Sequence, residues 1–255
     1  MLSCNKDDSE PFSNNNNNNN KTGLLSQVFF GSELYSEYTY NETNQVLEEK
    51  NRFSYTKHNY QEGKLILSDY YIDSRIYSSS SYIVQSAMNR KEWVNSTNTK
   101  KNNSTAYFYD DNDRLIKSSI GLIICEYSYD ERDRIIQQTF YSDNKKTWYL
   151  DFIYDENDNL IKRLHYSILD SGQAELQTTT EYEFDNKHNP YKALNSLMLP
   201  GRITNTNNIT KEIYTDHSDV DQWTEKVQIT KNVYEYNAIG FPAIKNEFET
   251  YKYYE

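Results

Sequence analysis

The side chains that could do chemistry in this chain are two cysteines, four histidines, three tryptophans and a large excess of carboxylates. None falls into a catalytic spacing. His58, His165, His188 and His217 are scattered, with no His pair at metal-ligand spacing and no Cys-x-x-Cys. No serine sits in a Gly-x-Ser-x-Gly elbow. Seven glycines are too few and too dispersed for a phosphate-cradling loop. Asp155-Glu156-Asn157-Asp158-Asn159 begins like a calcium loop, but Leu160 stands where the loop needs glycine and Tyr166 where it needs a bidentate acid. Cys125 lies in the apolar run Gly121–Cys125, where a buried structural thiol is expected rather than a nucleophile. A glycosidase pair is defined by carboxylate separation in space, which spacing along the chain does not supply. No catalytic residue, metal or cofactor is therefore expected. Trp93, Trp148 and Trp223 remain as candidate binding aromatics; the plain alternative for each is cross-strand packing.

The elements that must position these groups are set by a recurring phrase. Tyr127–Ile136 (YSYDERDRII) recurs as Tyr107–Ile116 and Phe152–Ile161, and more loosely as Tyr38–Leu47, Tyr182–Tyr191 and Tyr234–Ala243. An aromatic strand end, an Asp, three turn residues and an apolar strand start describe a hairpin with a type I turn followed by a left-handed residue. Asp130 suits the first turn position, because its carboxylate can accept a backbone N–H two residues on. The left-handed position holds Asn44, Asp113, Asp133, Asp158, His188 and Gly240, all tolerant of positive φ. The register predicted from this loop opposes Tyr129 to Ile135 and Ser128 to Ile136. It likewise pairs Tyr109 with Leu115, Tyr154 with Leu160 and Tyr40 with Val46.

This phrase resembles the YD repeat of Rhs-type shell proteins, Tyr-Asp-x-x-Gly-Arg-Leu. Tyr109, Asp110, Arg114 and Leu115 match, as do Tyr129, Asp130 and Arg134, with Asp113 and Asp133 in place of the usual glycine. Tyr182–Leu194 and Val233–Phe248 also resemble the C-terminal half of small Bacteroidetes lipoproteins of unknown function with a porin-like β fold. The resemblance implies an all-β antiparallel hairpin meander curled into a barrel-like or half-barrel shell. It brings no known activity or site.

Leu2-Ser3-Cys4 resembles the end of a bacterial lipobox, with Cys4 as the acylated residue, and Asn5-Lys6-Asp7-Asp8 resembles an acidic export tag. Residues 1–23, with the run Asn14–Asn20, read as a tether too polar to order itself; residues 24–255 read as one β domain. Leu24–Phe30 is a first strand or a plug, and Tyr60–Leu67 a contracted hairpin around Gly63. Strands are expected at 68–77, 81–94, 174–184, 222–236 and 241–253, with 95–105 an exposed loop and a short helix at 191–199, for about fifteen strands in all. Hydrophobic residues are 36% and mean hydropathy is −0.96, so 25 Tyr and 10 Phe must supply much of the core. A net charge of −11 argues against a nucleic-acid partner. Strands alternating with Lys, Glu, Gln and Ser argue against an apolar belt that spans a bilayer. The expected role is a non-catalytic protein, lipid-anchored to the outer membrane and surface-exposed, that binds a glycan or protein partner. The alternatives are a hydrolase of envelope or dietary polymers and a barrel carrier of an apolar ligand.

Overall fold

The computed structural model describes residues 21–73, 99–218 and 226–255. The repeat phrases fold as antiparallel hairpins. These are β2–β3 (Glu33–Tyr40, Val46–Asn51), β4–β5 (Ser54–Gln61, Lys64–Asp73) and β6–β7 (Thr99–Tyr109, Leu115–Ile120). They continue as β8–β9 (Ile123–Tyr129, Ile135–Ser142) and β10–β11 (Lys145–Tyr154, Leu160–Ile168). Then come β12 (Ala174–Phe184), β13 (Ile209–Asp216), β14 (Val227–Lys231) and the hairpin β15–β16 (Tyr234–Tyr236, Pro242–Lys245). β1 (Leu25–Phe30) pairs with both β2 and β17 (Glu249–Tyr253), so the two ends of the described chain meet inside one 17-stranded sheet. β14 and β15 are successive pieces of one run with no ladder between them, and the sheet does not close there into a barrel. Side chains span that seam: Asn232 Nδ2 donates to Ile209 O at 2.9 Å, and Asn246 Oδ1 accepts from Val233 N at 2.8 Å.

The turns follow from their Asp or Asn. Asp130 Oδ1 accepts from the N–H groups of Arg132 and Arg134, both at 2.9 Å, and Asp133 takes φ 57°. Asn44, Asp113, Asp158 and Gly240 also have positive φ. His188 does not, and the Tyr182–Tyr191 copy is not a short hairpin. Its anchor persists, since Asp185 N donates to Asn208 O at 3.1 Å and Asn208 N donates back to Asp185 Oδ1 at 3.1 Å. Residues 186–207 are inserted where the other copies have a short turn, and they include the 3₁₀ helix Pro190–Leu197.

The predicted register holds for Tyr129 with Ile135, Tyr109 with Leu115, Tyr154 with Leu160 and Tyr40 with Val46. Ser128, however, faces Gln137: a bulge absorbs Ile136, as expected when a left-handed residue closes the turn. Two further expectations are corrected. Of the loop expected at 95–105, residues 99–105 belong to strand β6, held by β5 and by Ser104 Oγ on Asp69 at 2.7 Å, and 95–98 lie outside the described residues. Residues 241–253 are two strands, because Asn246 and Glu247 both take positive φ and turn the chain.

Because the sheet is a meander, the repeat turns all lie at one end. There the ladders between successive hairpins stop short; β7–β8, for example, ends at Lys117 with Glu126. The repeat tyrosines take over. Tyr129 OH donates to Leu115 O at 2.7 Å, Tyr109 to Leu65 O at 2.9 Å and Tyr60 to Val46 O at 2.8 Å. Tyr154 donates to Ile135 O at 2.8 Å, Tyr40 to Leu25 O at 2.7 Å and Tyr253 to Pro242 O at 2.6 Å. The Tyr40 ring is buried and the others are half-buried, and each hydroxyl stitches its strand to the element before it. Burial pushes the Tyr109 and Tyr129 phenols up to about 12, so they remain donors throughout the physiological range. Charged turn residues add links along the rim: Arg134 pairs with Asp130 at 2.7 Å and with Asp158 at 3.2 Å, and Lys64 pairs with Asp113.

The inserted segment folds inward across this end. Tyr191, Leu194, Leu197 and Ile203 join Leu25, Val28, Tyr38, Tyr40, Val46, Leu65 and Tyr251 in the main core. A second cluster, Ile135, Phe152 and Leu160, lies on the same face of β9–β11. Farther along the inner face, His58 is buried with Nδ1 2.8 Å from Ser68 Oγ and no partner for Nε2 among the described residues. Burial lowers its pKa from 6.5 to about 4.

Two outcomes are expected. Tyr129→Phe strands the Leu115 carbonyl and should cost roughly 1–2 kcal/mol in urea unfolding. Tyr71→Phe should change stability by less than about 0.5 kcal/mol, because Tyr71 stacks on Tyr55 without a hydroxyl bond among the described residues. Equal losses would remove the stitch from the energetics. For His58, the unfolded state takes up a proton near pH 6.5 and the folded state only near pH 4. Its contribution is complete above about pH 6.5 and is lost as pH falls through about 4, to an extent on the order of 3 kcal/mol. Urea unfolding at several pH values in that window should show a shallower decline for His58→Gln than for the parent protein.

Candidate functional site: the lumen of the curled sheet

The inserted segment 186–207, hereafter the plug, does not fill the curl; Leu24–Phe30, the other candidate for that role, supplies strand β1 instead. Between the plug and the wall formed by β10–β13 lies a cavity of about 500 Å³. Phe152, Leu160 and Tyr182 line it from the wall, and Tyr191, Arg202, Glu249 and Tyr251 from the plug and β17. Phe30 and Tyr35 also line it, and both are solvent-exposed, so they mark its mouth. Phe30 packs edge-on against Tyr35 (centroids 4.7 Å) and Phe248 (5.4 Å), giving an aromatic lip of three exposed rings.

The floor is a buried polar network. The Arg202 guanidinium lies 3.6 Å from the Tyr191 ring centroid. Tyr191 OH and Tyr251 OH donate to Glu249 Oε1 at 3.0 and 2.7 Å, and Lys245 Nζ lies 3.3 Å from Oε2. Burial pushes the Tyr38 phenol up to about 12 and also raises the Glu49 carboxyl, against which the Arg202 charge works. Glu249 is fully occupied by donors and therefore positions the floor.

The plug is anchored where the stitch is missing. The repeat position on β12 is Phe184, which has no hydroxyl, and there Asn205 Oδ1 of the plug accepts from Leu160 N at 2.7 Å. Ser196 Oγ meets Tyr60 OH at 3.1 Å on the opposite side of the curl. Asn189 caps the 3₁₀ helix by accepting from Tyr191 N at 3.0 Å, which sets the ring over the cavity floor.

Leu150 and Arg163 line both this cavity and a second, more open recess of about 720 Å³, so the two adjoin on the inner face of the sheet. Trp148 lines the recess, half-buried, stacked on Phe140 (centroids 3.5 Å) with His165 edge-on at 5.4 Å. Burial, aided by the Arg163 charge, lowers the His165 pKa. Of the residues singled out from sequence, Trp148 reaches the lumen; Cys4, Trp93 and Trp223 lie outside the described residues. Cys125 is buried on β8, and burial pushes its thiol up to about 11. The Asp155 carboxylate is taken up by its own turn, accepting from Asn157 N, Asn159 N and Asn159 Nδ2. No group of three or more His, Cys, Asp or Glu side chains among the described residues could hold a metal. Sequence reasoning missed Phe30, Tyr35, Tyr191 and Arg202, since the last two belong to an insertion read as a turn and a loosely placed helix.

No protein-family model matches the sequence, and no curated protein matches it. Among solved structures, a porin-like protein from Bacteroides vulgatus overlaps with a TM-score of 0.49 at 9% identity, covering 91% of this chain and 99% of that one. A porin-like protein from Bacteroides uniformis overlaps with a TM-score of 0.41 at 12% identity, covering 91% and 98%. The toxin complex TcdB2-TccC3 overlaps with a TM-score of 0.22 at 13% identity, over 79% of this chain and 14% of that one. All three TM-scores lie below 0.5, and the antiparallel all-β fold rests on the ladders themselves.

Proposed function

We propose that this is a non-catalytic binding protein of the cell envelope, tethered to the outer membrane through an acylated Cys4, whose lumen takes a hydroxyl-rich ligand of the glycan class. The observation that carries this reading is the lining of the cavity: exposed rings at the mouth, with arginine, asparagine and carboxylate groups along the walls. Rings suit the apolar faces of sugars, and dispersed polar groups suit their hydroxyls. The mixed lining disfavours an apolar cargo. Glu249 is committed to Tyr191, Tyr251 and Lys245, which leaves Glu212 without a free partner carboxylate among the residues lining the cavity, and Asp216 in the recess already accepts from Ser218 N.

The test is a glycan and envelope-fragment screen of the whole chain carrying Cys4→Ala. A saccharide should bind, and Tyr35→Ala should weaken it roughly tenfold with unfolding unchanged. Turnover of a polymer, abolished by Glu212→Gln, would favour the hydrolase instead. The tether is checked separately. Full-length protein should sediment with membranes and Cys4→Ala should release it, since acyl burial contributes about 0.8 kcal/mol per CH₂ and two chains make attachment stable. Equal retention of both forms would count against the anchor.

A further inference from the structure

Most charges facing the lumen are already answered. Glu249 accepts from three donors, and Arg202 is stacked on Tyr191 near that same carboxylate. Two are not. Arg163 lies at the junction of the cavity and the recess, where Nη2 donates to Thr180 Oγ1 at 3.2 Å. Among the described residues no carboxylate comes within 4.0 Å of its guanidinium, although Arg163 carries five N–H donors. Glu212 lines the same cavity, and its carboxylate makes no hydrogen bond or ion pair among those residues. The ladders fix their relation: Arg163 is opposite Thr180, and Glu212 is opposite Tyr182, two residues farther along the same strand and face. A guanidinium without a carboxylate partner and a carboxylate without a cation therefore flank one aromatic ring, and that ring also lines the cavity.

A guanidinium held with most of its donors unspent at a half-buried wall matches a planar oxyanion better than a neutral hydroxyl. Glu212 limits how much negative charge can enter, which disfavours a dianionic phosphate and favours a single-charge acidic group. It also supplies an acceptor for the hydroxyls of the same sugar. Resting on the reading of the lumen as a glycan site, we propose that its ligand is an acidic saccharide. The monoanionic carboxylate or sulfate is held by Arg163, the sugar face lies on Tyr182, and the hydroxyls reach Glu212.

The experiment is a saccharide panel in which every acidic member, carboxylated or sulfated, is paired with its neutral counterpart. The carboxyl-reduced sugar serves for each uronate and the desulfated sugar for each sulfate. The protein is the whole chain carrying Cys4→Ala. The acidic member of a binding pair should bind at least about tenfold more tightly, and the gap should shrink with added salt. Arg163→Gln should abolish the gap while leaving the weaker neutral affinity in place. Glu212→Gln, which removes a like charge, should not weaken the acidic ligand's preference and keeps the test independent of how Arg163→Gln folds. Carboxylated and sulfated pairs separate the two sources of the anion. Equal affinity within every pair overturns the acidic assignment and leaves glycan binding standing. A panel in which nothing binds overturns the glycan reading and the acidic assignment together.

Discussion

The structure depends on one bond made repeatedly: a tyrosine hydroxyl donating to a backbone carbonyl of the neighbouring hairpin. The left-handed turn residue forces a bulge, and the bulge ends the ladder between hairpins early. A carbonyl left without a partner at the edge of a core costs about 1–3 kcal/mol. Tyrosine answers this with one side chain, burying its ring and delivering an O–H some distance from the backbone. That is how a chain with few aliphatic residues can still build a core. The rings supply the apolar area, and their polar ends hold the next element in place.

What could be read from sequence follows the range of the forces involved. The turns were legible because Asp130, Asp133 and their equivalents satisfy local demands within a few residues of one another. The tyrosine opposite each aliphatic was legible because loop length sets register. The next pair was not, since the bulge that displaces Ile136 is a consequence of the turn rather than a residue type. The plug was illegible for a related reason. Asp185 has its usual acceptor role, but its partner is Asn208, and nothing local announces that the intervening residues fold inward. The substitution of Phe184 for tyrosine was the available signal, since it marks a repeat position without the stitching hydroxyl, where the incoming segment instead anchors by accepting from Leu160 N through Asn205 Oδ1.

The lumen follows from the same economy. Inner-face residues are chosen near the plug to pack and farther away to hydrogen-bond one another, as with His58 and Ser68 or Ser118 and Tyr127. Where the plug leans toward β1–β4 it makes the main core; on the side of β10–β13 it leaves space. The cavity is therefore a consequence of an off-centre insertion in an otherwise regular meander, and its polar character is inherited from strands whose inner residues were never uniformly apolar.

The pairing of β1 with β17 bears on how the molecule comes into being. The first strand sits between β2 and β17, so its second edge stays unpaired until β17 has been made. Every other ladder can form in order as hairpins emerge, but this one joins residues separated by nearly the whole described length. Such a contact carries the largest loop-closure entropy in the fold and is expected to form last and slowly. Until it does, both strands present open edges to other chains, which are templates for aggregation. The closing strand is therefore where biogenesis of this protein is most exposed to failure, even though the finished sheet shows no weakness there.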